Sequence, residues 1–210
     1  MKKIPGIVIL TIVMLCAEKN RAENHSIQHN QRKKMEHQAK ENQNREDTFV
    51  ISYSFETDAN TLFNMWIEPK IYTRWMGPAG ADMSFINADI REGGTAHWQM
   101  KTPGETTKFG KLHYKIIDPN YLLVYVQNFC DKDGNFIKAP FSNTYPDRLL
   151  LTVHFAHETD YKVKMTVKWE IFGESTEIER KTFNDMKPYM VKGWGESFEK
   201  IETLLKSKKK

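Results

Sequence analysis

Two cysteines in 210 residues, Cys16 and Cys130, are too few for a disulfide framework. Neither sits in a C-x-x-C pair or beside a histidine, so each reads as a plain thiol. Charge of one sign is also scarce. The 31 basic and 27 acidic residues leave +4, and Lys206-Ser207-Lys208-Lys209-Lys210 supplies much of the excess. A short lysine tail without interleaved aromatics is a solvated end, so nucleic acid is not an expected partner. The chain has no phosphate-binding glycine loop, no dinucleotide fingerprint, no G-x-S-x-G elbow and no H-E-x-x-H pair. Those gaps set aside the common nucleotide-dependent, serine-hydrolase and zinc-hydrolase classes, and no cofactor, metal or catalytic group is expected.

Long apolar runs are confined to residues 4–17, which follow Met1-Lys2-Lys3. A charged start and an apolar stretch of that length fit a secretory signal peptide. The run is shorter than the about 20 residues that cross a bilayer. Cleavage after Ala17 or Ala22 is expected, giving an exported protein. Cys16 opens a lipoprotein alternative, against which Leu15 is large for the position before a lipidated cysteine. A start at Met35 is the competing reading, and it places the protein in the cytoplasm. Residues 18–48 are almost wholly polar and read as a linker or a loose helix. His25, His29 and His37 lie there at helical spacing, without the carboxylates that a metal site would add.

What is plentiful is aromatic side chains, 12% of the chain, within a composition that is 40% hydrophobic. That is ample for one domain with a real core. Phe49 to Phe55 alternates as a strand. Thr57-Asp58 offers a helix N-cap ahead of Leu62, Phe63 and Trp66, and Pro69 ends that helix or opens a second one through Ile71, Tyr72 and Trp75. Strands follow at Phe85 to Ile90, Thr95 to Lys101, Thr107 to Ile117 and Tyr121 to Phe129. Residues 136–146, with Pro140 and Pro146, form an irregular insert. Arg148 to Phe155 and residues 161–169 are the last strands, and in the latter every odd position is apolar. Thr176-Glu177-Ile178-Glu179 is a capping box. Phe183, Met186, Met190, Trp194, Phe198, Ile201 and Leu205 then recur every three or four residues. Pro188 within this pattern predicts a kink, or a break near Asn184 with the long helix starting at Asp185. Asp89, Glu92 and Asp118 fall at strand ends or turns, with Asp89 and Arg91 read as a structural pair. His97, His113 and His154 fall on the polar phase of strands and read as a solvated face.

Three landmarks stand out in fixed order: Arg74-Trp75-Met76-Gly77-Pro78, Asp89-Ile90-Arg91-Glu92-Gly93-Gly94, and Gly193-Trp194. With the pattern of residues 49–205, they resemble the SRPBCC (START-like) superfamily and, within it, the activator of heat-shock protein 90 ATPase homologue family. Met76 stands where that family usually shows a second tryptophan. The resemblance implies an α+β helix-grip fold, in which a curved antiparallel sheet wraps a long C-terminal helix and two short helices follow the first strand. Residues 206–210 are then a basic tail. It also implies a cavity between sheet and helix for an apolar small molecule. The candidate lining is Trp66, Trp75, Phe85, Trp98 and Tyr114, with Tyr125, Trp169, Met190, Trp194 and Phe198. A carrier or binding module is the first functional expectation. A co-chaperone-like regulator, with the chaperone as partner, is the second, and a cyclase- or hydratase-like enzyme is the third.

The mature protein is expected to lack its first ~17–22 residues. Intact-mass measurement on protein from the native cell checks this. A chain beginning at Met35, or a lipid on Cys16, would replace it.

Overall fold

The computed structural model describes residues 47–208 continuously, together with Asn30 and Lys33. The expected leader, most of the linker, the histidines at 25, 29 and 37 and the alternative start at Met35 lie outside the described residues. Seven strands form one antiparallel sheet: β1 (Thr48–Phe55), β2 (Asp82–Ala88), β3 (Thr95–Lys101), β4 (Lys108–Asp118), β5 (Leu122–Cys130), β6 (Leu149–Thr159) and β7 (Lys162–Ile171). Their order is β1-β7-β6-β5-β4-β3-β2, so β2 to β7 form a meander and the first strand closes onto the last. Between β1 and β2 lie α1 (Ala59–Ile67) and α2 (Pro69–Trp75). A long helix, α3 (Glu177–Lys208), ends the described chain. This is the helix-grip arrangement.

Local chemistry accounts for the element ends. The Asp58 carboxylate accepts from the Thr61 amide at 2.8 Å and caps α1, and Pro69 sits in the first turn of α2, where its missing N–H is harmless. The capping box closes as its residues dictate. The Thr176 amide donates to Glu179 Oε2 at 2.9 Å, and the Glu179 amide donates to Thr176 Oγ1 at 3.3 Å.

Two expectations are corrected. Helix α3 does not break near Asn184 but runs through Pro188 as one element of about 48 Å at 1.5 Å per residue. Pro188 stands on the exposed side, and buried Phe183, Trp194 and Phe198 anchor both halves. The strands also outrun their apolar alternation: β2 begins at Asp82 and β6 reaches Thr159. There the ladder continues through polar pairs such as Asp82 with Lys101, since backbone pairing needs no apolar side chain.

The three histidines do not share one solvated face. His113 Nε2 lies 3.0 Å from Asn128 Oδ1, and His154 is exposed. His97 Nε2 is buried without a hydrogen-bond partner among the described residues. The turn at Gly134 lies against His97 and Lys111 and covers that part of the outer face. Asp89 and Arg91 do pair, at 3.0 Å. Cys130 is buried, and burial pushes its thiol above the ordinary value.

In β7, Val163, Met165 and Val167 are fully buried, while Lys162, Lys164 and Lys168 alternate with them and stay partly exposed. Met165 Sδ also accepts from Trp66 Nε1 at 3.1 Å. Met165→Asp is therefore expected to lower unfolding free energy by about 3 kcal/mol or more, from an unpaired buried charge. Lys164→Asp should stay within about 0.5 kcal/mol. Urea unfolding of both variants checks the pair, and equal losses would mean that the two faces are misassigned.

Candidate functional site

The three sequence landmarks are braces that set the site's walls. Trp75 is fully buried, and its indole N–H donates to the Met65 carbonyl at 2.8 Å, locking α2 onto α1. Past it the chain turns through Gly77, at φ +103°, a region that side chains other than glycine rarely enter. Lys200 Nζ on α3 donates to the Gly77 and Pro78 carbonyls at 2.7 and 3.0 Å, and the Ala79 amide donates to Glu196 Oε2 at 2.9 Å. The loop is thus tied to the C-terminal helix. The second landmark bends back through Gly93 and Gly94 and exchanges backbone bonds with Tyr114, each 3.0 Å. A Cβ on Gly94 would lie 2.2 Å from the Asp89 carbonyl, so the bend requires glycine. It fixes Tyr114 just ahead of a bulge in β4. The third landmark puts Trp194 flat against Trp66, with ring centroids 5.9 Å apart.

Cross-strand register arranges the inward side chains in rows. One row runs Phe85, Trp98, Gly110, Phe129 across β2 to β5. The next is Ala96, Leu112, Gln127, Leu149, Ile171. The third is Tyr114, Tyr125, Leu151, Trp169, Phe49. In the first row the Trp98 ring lies across Gly110, where an added Cβ would come within 2.3 Å of it. Glycine therefore lets the indole lie down against the sheet instead of standing into the interior.

Most of the expected lining residues fall in one connected group of rings. Trp66 meets Trp75 at 4.8 Å as well as Trp194. Trp194 meets Trp169 at 6.4 Å and Phe198 at 5.6 Å. Phe85 and Trp75 both touch Tyr72. Tyr114 packs on Tyr125 at 5.7 Å, and this pair reaches the group through the Tyr72 and Tyr125 hydroxyls, 3.5 Å apart. Trp98 belongs to a separate group with Phe129, Phe141 and Tyr145, and among the described residues no ring contact joins the two groups. Met190 is half-buried against the core.

Phe141 and Tyr145 come from the insert. It reaches α3 through the Lys138–Glu179 ion pair at 3.0 Å and the Thr144–Thr182 hydroxyl contact at 2.9 Å. Sequence reasoning did not single out Tyr72, Tyr145, Gln127 or Gly110 for the site. The inward phase of β5 would have found Gln127. Gly110 carries no signal until its neighbour across the ladder is known.

The interior is not uniform along the strands. Phe63, Phe155, Val163 and Met165 close one end completely. Toward the other end Phe129, Gln127, Trp169 and Ile171 hold inward positions, and Met186 and Met190 pack on the same core from α3, yet all six remain partly exposed. Gln127 is a polar side chain on the inward phase of a central strand, between Tyr125 and Phe129. The polar side chains classed as buried among the described residues are Ser52, Thr57, Lys187 and Ser197. Burial depresses the Lys187 ammonium, opposed by Asp47, and the side chain lies over the Phe183 ring.

Residues 56–206 match the family described as Activator of Hsp90 ATPase homolog 1-like protein. The chain belongs to that family. Solved structures repeat the fold. A protein from Arthrobacter aurescens is 24% identical, with 77% of this chain and 87% of that chain covered at a TM-score of 0.63. One from Mycobacterium smegmatis is 17% identical, with 76% and 90% covered at 0.62. The AHSA1 protein from Silicibacter pomeroyi is 13% identical, with 77% and 99% covered at 0.58. No curated protein matches. At these identities the likeness to solved structures concerns the fold.

Gly110→Ala is expected to destabilise the domain by about 2 kcal/mol, because the new methyl overlaps the Trp98 ring. In a Trp98→Ala background only the part due to the indole should vanish, because the new methyl also lies 2.8 Å from the Asn128 carbonyl oxygen. A double-mutant cycle in urea checks the coupling, and simple additivity would mean that the indole does not rest on Gly110.

Proposed function

We propose that the domain binds an apolar small molecule between the sheet and α3, as a carrier or binding module without a catalytic group of its own. Family and fold support a ligand-binding module in general terms. The observation that carries the specific reading is the half-open end of the interior. Side chains on the inward phase of two strands stay partly accessible there, while the opposite end is sealed. A domain that only needed a core would close both ends, because each exposed apolar surface forfeits about 25 cal/mol per Å². Aromatic walls with few polar groups are also what an apolar ligand requires. The 136–147 insert borders this end and is pinned to the first turns of α3, so it would frame the entrance. A chaperone-directed role is suggested by the family's name, but the features set out above face inward.

Titrating an uncharged polyaromatic probe into the full chain should quench tryptophan emission, since Trp169 stands at the open end and touches Trp194. Gln127→Trp is the decisive variant. Filling the proposed space should reduce probe affinity at least about tenfold while leaving the unfolding midpoint unchanged. A large loss of stability on adding that bulk, with no probe bound by the unaltered chain, would show a filled core and end this reading.

A further inference from the structure

Three phenols meet inside the aromatic interior: Tyr72 from α2, Tyr114 from β4 and Tyr125 from β5. None is more than 3% exposed. The Tyr72 and Tyr125 hydroxyl oxygens are 3.5 Å apart, long for an O–H···O bond, which is commonly nearer 2.7–2.8 Å. No other hydrogen bond to these hydroxyls exists among the described residues. A hydroxyl carries one donor. When two hydroxyls pair with no outside acceptor, the one that receives still has its own hydrogen to place. The third hydroxyl, on Tyr114, makes no hydrogen bond to another described residue but is not fully enclosed. Two strands further along the same cross-sheet row, the Trp169 indole N–H is buried and unpartnered. The unmet needs along this row are therefore donors seeking an acceptor.

We propose that the Tyr72–Tyr114–Tyr125 cluster is the polar subsite of the interior and takes an uncharged ligand through a single acceptor oxygen, a carbonyl in particular. This inference rests on the ligand-binding reading and narrows it. An acceptor oxygen beside the Tyr72 and Tyr125 hydroxyls, at the apex of a triangle with them, would receive from both, which the two cannot do for each other. An anion is disfavoured, because no lysine or arginine is among the groups that act on these phenols; burial and their mutual contacts are what act on them. Burial holds all three well above the ordinary phenol value, so they stay protonated donors through the physiological range. A carboxylate would leave water for this site without a counter-charge. A hydrocarbon would enter but leave the hydroxyl hydrogens unmet.

The test compares three probes of one ring system on the full chain by calorimetry: 2-acetylnaphthalene, 2-isopropenylnaphthalene and 2-naphthoate. The ketone should bind at least about tenfold tighter than the hydrocarbon or the anion. In the Tyr72→Phe, Tyr125→Phe double variant the ketone should fall to the hydrocarbon's affinity, with the hydrocarbon's own affinity unchanged. The infrared carbonyl stretch of the ketone bound to the unaltered chain should lie below its value in an apolar solvent. This last readout needs no variant. Equal affinity for ketone and hydrocarbon, a preference that survives in the double variant, tightest binding by naphthoate, or an unshifted carbonyl stretch overturns the subsite while leaving apolar binding in place. Binding of none of the three probes overturns the ligand-binding reading and this subsite with it.

Discussion

One helix cannot cover seven strands. With neighbouring strands about 4.8 Å apart, the sheet is roughly 29 Å from first strand to last, and a helix with its side chains is only about 10–12 Å wide. Curling the sheet reduces the mismatch without removing it. Helix α3 makes its nearest backbone approaches to β1 and α2, and the remaining width must be bridged in other ways. Much of what is distinctive here follows from that shortfall. Helices α1 and α2 fill part of it, large rings reach across from the strands, and the 136–147 insert folds in from the far side.

The same constraint explains what the landmark residues do. They surround the interior and hold the covering elements at their proper separation. The 77–79 loop is fastened to α3 by a lysine and a glutamate one turn apart, and the Gly93–Gly94 bend is fastened to β4 at Tyr114. Lys200 is partly stripped of water in this role, which depresses its ammonium, with Glu196 opposing the shift. Replacing the lysine would free two carbonyls and leave the Ala79–Glu196 bond to hold this loop to the helix.

The order of elements was legible in the sequence because it rests on short-range rules. Alternation in 161–169, the Asp58 cap and the 176–179 box each involve residues within a few positions of one another, and the structure shows all three. The uninterrupted α3 was not legible. Proline's local penalty was outweighed by Phe183, Trp194 and Phe198, whose partners are far away in sequence. Aromatic abundance pointed to the interior, and the rings expected there are largely brought together. Gly110 stayed hidden for a different reason. It matters only through what stands beside it across the sheet, and cross-strand register is not written at that position. His97 erred in the same way: its polar phase was read correctly, but the turn at Gly134 that covers it could not be seen.

The indole nitrogens of Trp66, Trp75 and Trp169 do not share one environment. That of Trp66 faces a thioether, that of Trp75 a peptide carbonyl, and that of Trp169 no partner among the described residues. Hydrogen bonding governs the chemical shift of an indole proton and the rate at which it exchanges with solvent. The domain therefore carries three built-in spectroscopic reporters at graded depth. Two of them watch the sealed scaffold, and the third, standing at the accessible end, would register an occupant directly.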